Sequence, residues 1–381
     1  MLAGGEKMKV ALITLHTVSN YGSCLQTYAS QSLIESLGHE VEIVNYYRKN
    51  NQVPVKTERI FRGRVFGRFS DIWTKFPWLK RGLSVPVSTY VRLQDYRFDK
   101  FRDEYLHLSN QYLDASQLLE NPPEADVYCT GSDQVWNSVW NEGFEGPYFL
   151  DFAPVGKRRI AFSASIGRES IFDWEIPLMK NALSKYYAIS MREESGVELV
   201  KSLGFPDAQL VLDPTLLLTR DNWDKIATHP MHAGESYVLA YGLNDNPRLL
   251  SFAAGVAREY GINLISINYN PIHLPSAGIK EITPDVTDFI GLFEDASYVV
   301  TDSFHATAFA LNFGIPFTAI APPRFSTRIT SILSLTHTNE RLLINYNDSS
   351  MLRKPIDFEA VHDVLSNMRD KSVSFLRNAL A

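Results

Sequence analysis

Apolar and polar positions along the chain fall into a repeating pattern. Short apolar runs end in polar turns, and each turn opens onto a stretch whose apolar residues return every three or four positions. Lys9 to Leu15 (KVALITL) predicts a buried first strand. In the following HTVSNYGSCLQTYASQSLIESLGHEVEIVNY, Leu25, Tyr28, Ala29, Leu33, Ile34 and Leu37 repeat at helical spacing before a glycine stop and a second strand. Further strand-like runs are DVYCT (126–130), RRIAFSAS (158–165), YYAISM (186–191), AQLVLD (208–213), YVLAYGL (237–243), INLISINY (262–269), YVVTD (298–302) and FTAI (317–320). LLSFAAGVAREYG, VTDFIGLFEDA and ATAFALNFG, lying between the later runs, have helical spacing. Strands alternating with helices predict an α/β protein built on parallel sheets.

With 381 residues the chain exceeds the ~100 to 200 residues of one domain, so two Rossmann-like halves facing a cleft are the simplest division. The boundaries expected are 8–215 and 216–357, with a C-terminal helix over 358–380 that can return to the first half. Hydrophobic residues make up 45% of the chain, enough for a substantial core, yet no run approaches the ~20 apolar residues of a membrane span. The leader MLAGGEK has no apolar stretch, so no secretory signal is expected, and Met8 is a candidate start. The two cysteines, Cys24 and Cys129, show no metal-ligand spacing and point to a reducing cytoplasm. Cys24 lies near a helix N-terminus, where a thiolate is favoured.

Two turns carry candidate chemistry. Thr301 to Pro316, TDSFHATAFALNFGIP, places His305 where a β-branched run becomes a helix, and the free N–H groups of such a first turn suit an anion. Asp302 or Ser303 capping the helix, with His305 packed, is the competing reading. Near the N-terminus, Asn20, Tyr21, Gly22 and Ser23 form the turn into the first helix; without G-x-G-x-x-G, a dinucleotide is not indicated.

Charge is uneven. From Arg48 to Arg102 fourteen basic residues face four acidic ones, a net +10, so the rest carries −16 against the total of −6. Phe61, Phe66, Phe69, Trp73, Phe76, Trp78, Tyr90 and Tyr96 interleave with those charges. Such an insertion suits peripheral contact with an anionic membrane; the competing reading packs its aromatics on the body. An acidic remainder and no base-reading motif argue against nucleic acid.

Four ordered blocks, SNYGSCLQTYASQ, YCTGSDQVWN, MREESGVELVKSLG with VLDPTLLL, and TDSFHATAFALNFGIPF, resemble the polysaccharide pyruvyl transferase family over roughly residues 9 to 345. The resemblance implies a glycosyltransferase-B-like pair of domains and transfer of the pyruvyl group of phosphoenolpyruvate onto a sugar as a ketal, in bacterial surface polysaccharide biosynthesis. No metal and no cofactor beyond that donor are implied. It also implies a saccharide acceptor; the basic aromatic insertion is consistent with a lipid-linked one at the inner face of a bacterial membrane, and the cysteines point to the cytoplasm.

The donor, a trianion, needs arginine or N–H contacts, and its methylene and the attacking hydroxyl must exchange protons. His305 meets the second demand as a catalytic candidate. Arg192, Arg324 and Arg328 are carried over as donor contacts, together with Ser303, which stands where one branch of the family has arginine. The S-F-H branch usually continues with glycine, and here Ala306 follows. Asn20, Tyr21, Gly22, Gln26, Gln134 and Trp136 are acceptor-site candidates, and Asp133 is a candidate base for the attacking hydroxyl. Two other classes stay open: a nucleotide-sugar-dependent glycosyltransferase, although no Asp-x-Asp occurs, and a non-catalytic saccharide-binding relative.

Overall fold

A computed structural model describes residues 6–63, 66–231, 234–244, 246–267, 279–322 and 327–381. Two six-stranded sheets organise it, and every strand pair within them is parallel. The first sheet contains β1 (Lys9–Ile13), β2 (Glu40–Ile43), β3 (Val127–Thr130), β4 (Arg158–Ala164), β5 (Ala188–Met191) and β6 (Gln209–Leu210), in the order β2-β1-β3-β4-β5-β6. The second contains β7 (Tyr237–Tyr241), β8 (Asn263–Ile267), β9 (Lys280–Ile282), β10 (Tyr298–Thr301), β11 (Phe317–Ile320) and β12 (Leu342–Leu343), in the order β12-β11-β10-β7-β8-β9.

The central strands are buried on both faces, which is why they read as near-continuous apolar runs. Among the described residues β9 and β12 escape that signal. KEI alternates charge at a sheet edge, and β12 is only two residues long. AQLVLD shortens to the two-residue β6, and the end of INLISINY lies outside the described residues.

Strand order reverses between β1 and β3 in one sheet and between β7 and β10 in the other. Ligands of open α/β sheets sit beyond the carboxyl ends of strands at such reversals. Here the loop after β3 supplies Asp133 and the first turn of the helix after β10 supplies His305, and these belong to a single cluster between the halves.

The halves share one apolar core. Tyr21, opening the first helix (Tyr21–Ser36), donates from its hydroxyl to the Pro284 carbonyl at 2.7 Å and stacks on Phe289 at 4.4 Å. Trp223 links Tyr28 of that helix to Phe309 of the histidine helix (Phe304–Phe313). The C-terminal helix (Phe358–Leu380) touches both halves. His362 Nε2 meets the Leu311 carbonyl at 3.2 Å, while farther along Phe375 stacks on Phe162 and Ser372 Oγ accepts from the Leu212 amide.

The basic insertion folds into helices Val53–Arg62, Ser70–Lys75 and Pro77–Tyr105. The last buries Val91, Asp95, Phe98, Phe101 and Arg102, all in its second half, so its first half stands away from the body. The aromatics of the segment therefore divide between covered and exposed positions. Phe61 is buried, whereas Phe69, Phe76, Trp78 and Tyr96 are exposed.

Candidate functional site

Arg192 is the centre of the cluster. It follows β5 directly, so the strand delivers its side chain past the carboxyl edge of the sheet, where the loops after β3 and β6 supply acids. Its Nη1 donates to Asp213 Oδ2 at 2.6 Å and Nη2 to Asp133 Oδ1 at 3.1 Å, while Glu193 Oε2 lies 3.7 Å from its Nε. Three acids thus surround one guanidinium. The acids are held in turn. Ser23 Oγ and the Gln134 amide donate to Asp133; Ser132 Oγ and the Thr215 amide and hydroxyl donate to Asp213. Asp133 adopts a positive φ of 71°, a strained backbone for a residue other than glycine that turns its carboxylate into the cluster.

His305 enters from the second half. Ser303 caps its helix, accepting from the Ala306 amide at 3.4 Å, and Asp302 accepts from the Leu243 and Asn244 amides, tying the end of β10 to the end of β7. The capping reading therefore holds for Ser303, whereas Asp302 joins two strand ends and does not cap the helix. His305 Nε2 lies 3.5 Å from Arg192 Nη1 and 3.8 Å from Asp213 Oδ2. Gly22 makes that approach feasible: a methyl placed there would stand 2.1 Å from His305 Nδ1. Phe304 packs against two guanidiniums, with Arg192 Cζ at 4.7 Å and Arg328 Cζ at 5.9 Å from its ring centroid.

Arg328 differs from Arg192 in having no carboxylate against it among the described residues. It is half-buried, and its Nε is buried with no hydrogen-bond partner. Burial first, then the nearby Arg192, lowers its guanidinium to about 10. Burial also lowers His305 to about 4; Asp213 and Asp133 pull upward, and Arg192 and Arg328 push it down further. The imidazole is consequently neutral at pH 7 and able to accept a proton. Asp133 goes the other way. Burial alone would raise it, but Arg192, with help from His305 and Arg328, holds its carboxyl well below the usual range. Asp213 is lowered by the same balance of burial against Arg192. Such acids suit counter-ions better than bases.

The first-half candidates divide. Asn20 caps the first helix, accepting from the Ser23 amide at 3.2 Å. Gln26 is fully buried and donates to Thr14 Oγ1 at 2.8 Å, leaving its Oε1 unpartnered. Gln134 Oε1 accepts from Asn137 at 2.8 Å. Tyr21 and Trp136 lie in the core, the latter stacked on Phe149 at 5.3 Å with its Nε1 donating to the Tyr148 carbonyl. Arg324 lies outside the described residues. Cys24 is buried, and burial pushes its thiol up to about 11, so the thiolate expected from its helix position is not formed.

Asp213 and Glu193 complete the cluster without having been singled out in the sequence, while Ser23, from the first candidate turn, and Ser132, beside Asp133, hold the two aspartates. Asp213 was legible in principle: an acid ending a strand-like run just before Pro214 sits where strand ends present side chains to a cleft.

A profile of the polysaccharide pyruvyl transferase family matches residues 20–323, and the chain belongs to that family. No curated protein matches the chain. Among solved structures, Arabidopsis thaliana UGT89C1 complexed with UDP-L-rhamnose superposes with a TM-score of 0.54 at 9% identity, over 98% of this chain and 99% of that one. A structure named for a UDP-N-acetylglucosamine 2-epimerase of Listeria monocytogenes gives a TM-score of 0.52 at 12% identity, covering 98% of this chain and 91% of its own. At such identities these likenesses establish the fold, a glycosyltransferase-B-like pair of parallel-sheet halves.

Proposed function

We propose that the protein transfers the pyruvyl group of phosphoenolpyruvate onto a saccharide as a ketal, in the making of a bacterial surface polysaccharide. The observation that carries this reading is Arg328. A half-buried guanidinium with an unpartnered Nε, beside the neutral His305, is a seat for a small multiply charged anion. Arg192, whose guanidinium also lies over the Phe304 ring, supports the same anion, with Ser303 at the head of the histidine helix.

In the reaction two sugar oxygens bond to C2 of the donor, the bond from C2 to the phosphate oxygen breaks, and C3 gains a proton. Of the two hydroxyl protons, one balances C3 and the other leaves with phosphate or solvent. Neutral His305 takes the proton of the attacking hydroxyl. Asp133 and Asp213 fix Arg192 and hence the charge that faces the donor.

The Arg192 and Asp213 side chains are 0% exposed and that of His305 6%, so donor entry requires this face to open between the halves. The saccharide approaches from the first half, where Gln26 and Gln134 lie behind the loops of Asn20 and Asp133. A lipid-linked glycan is the acceptor we favour, because the basic helical arm exposes aromatic side chains suited to a headgroup layer. Among the described residues no helix is long and apolar enough to cross a membrane, which makes the proposed contact peripheral.

Incubating the protein with phosphoenolpyruvate or UDP-sugars and candidate glycans tests the reading. Release of inorganic phosphate with a ketal product is expected. Release of a nucleoside diphosphate would replace it with glycosyl transfer, and binding of glycans without turnover of either donor with a non-catalytic role.

A further inference from the structure

Away from the cleft, at the far end of the second half, three side chains with metal-binding atoms converge. Asp224 ends the short helix Arg220–Asp224, Glu294 ends helix Val286–Glu294, and His229 lies on the loop between that short helix and β7. That loop is pinned to the longer helix. The Thr228 amide donates to the Thr287 carbonyl at 3.2 Å, and Gly291 gives it room, since a methyl there would come within 2.2 Å of the Thr228 carbonyl oxygen.

His229 is oriented as a ligand. Its Nδ1 meets Asp295 Oδ2 at 2.9 Å, which places the proton on Nδ1 and turns the lone pair of Nε2 toward Asp224 and Glu294, both 3.8 Å away. A carboxylate behind the second ring nitrogen is the usual support of a metal-bound histidine. Neither 3.8 Å separation is a hydrogen bond. The one donor atom of each residue lies within 4.8 Å of the other two. A tetrahedral ion with bonds of about 2.1 Å spaces its ligand atoms about 3.4 Å apart, so small side-chain adjustments would close the set.

A second observation points the same way. The Glu294 side chain is 2% exposed, yet its Oε1 has no hydrogen-bond partner. Arg220 does not answer that oxygen, because its guanidinium is spent on the carbonyls of Phe313 and Glu294. A buried carboxylate with a free oxygen calls for a cation.

We propose that Asp224, His229 and Glu294 bind a first-row divalent cation, with Asp295 positioning the histidine. One imidazole and two carboxylates suit Zn²⁺. The ion would staple the segment joining the two halves to helix Val286–Glu294 and act on stability. It is separate from the cluster around Arg192.

Chelator-stripped, untagged protein equilibrated with Zn²⁺ and analysed for bound metal tests the site, with thermal unfolding as a parallel readout. One Zn²⁺ per chain is expected, together with a raised unfolding midpoint. Asp224→Asn, at an exposed position that tolerates the change, and His229→Ala should each weaken binding at least ~10-fold, and Asp295→Asn should do so ~10- to 100-fold. Absence of stoichiometric Zn²⁺ in the wild type would overturn the assignment, as would equal affinity in Asp224→Asn and His229→Ala.

Discussion

The cluster between the halves and the helical arm are both rich in arginine, and they use it in opposite ways. Around Arg192 every charge is buried, and each acid answers to the guanidinium or to a hydroxyl, so position decides everything. Along the arm, Arg59 and Arg62 are 61% and 78% exposed and pair loosely with Glu142 and Glu58. Here the sum of charge matters more than any one contact. A buried cation shapes a site, whereas exposed cations shape a surface. Arg328, half-buried and without a carboxylate, stands between the two.

The largest effect should come from Arg192→Ala. It strands Asp133 and Asp213 without their counter-charge, and breaking a buried ion pair from one side costs about 3 to 5 kcal/mol. Chemical denaturation should show that loss together with loss of transfer, and Arg192→Lys should recover little, because a point charge cannot serve two carboxylates as a planar fork does. A stability change below about 1 kcal/mol would place Arg192 with the surface cations.

His305→Asn should lower transfer by ~100- to 10,000-fold while leaving the fold intact. Its pH signature follows from linkage. Unfolded histidine takes a proton below ~6.5, whereas folded His305 stays neutral down to about 4. Between those values the unfolded chain binds more protons, so stability is full above pH 6.5 and is lost as pH falls toward 4. His16, buried and lowered to about 4, acts in the same window. Urea midpoints measured from pH 7 to 4.5 should therefore slope less steeply in His305→Asn without becoming flat. An unchanged slope would mean that the imidazole is already charged in the folded protein.

Much of this was legible in the sequence, for a physical reason. Doubly buried parallel strands cannot hide, so KVALI, YVLAY and YVVT stand out as apolar runs, and the glycine after Phe313 ends its helix as expected with a φ of 71°. The histidine turn was visible because its neighbours are so apolar. Pairing was not visible. Nothing in VLDPT says that Asp213 will meet Arg192, since that contact depends on β6 pairing beside β5, and nothing local separates Tyr21 in the inter-half core from Asn20 at its edge. The arm's charge could be counted, but which of its aromatics would be covered depended on where the long helix meets the body.

Arg328→Ala should separate binding from stability. With no carboxylate against it, its removal leaves no acid stranded, so unfolding should change by under about 1 kcal/mol. Donor affinity should fall ~10- to 100-fold, the worth of a charge-assisted hydrogen bond. Calorimetric titration with phosphoenolpyruvate decides. Full affinity in the mutant would move the donor seat elsewhere in the cluster.

The smallest effect on the folded protein, and the sharpest on its surroundings, should come from the arm. Phe76 is 48% exposed, Trp78 68% and Val85 66%, and Lys75, Lys80 and Arg81 lie among them. Apolar side chains left in water beside cations gain by entering a headgroup layer, where each Lys or Arg adds ~1 kcal/mol against anionic lipid. The wild type should therefore cosediment with anionic vesicles at low salt and be released as ionic strength rises. Phe76→Ser with Trp78→Ser should weaken the part of binding that survives salt. Neutralising Arg59, Arg62 and Arg68 should weaken the part that does not. Neither set touches the cluster, so transfer to a soluble acceptor should stay at the wild-type rate, and the unfolding midpoint should barely move because these side chains bury little. If the vesicles fail to capture the wild type even at the lowest salt, the arm's charge serves another contact, and its difference from the Arg192 cluster is one of exposure alone.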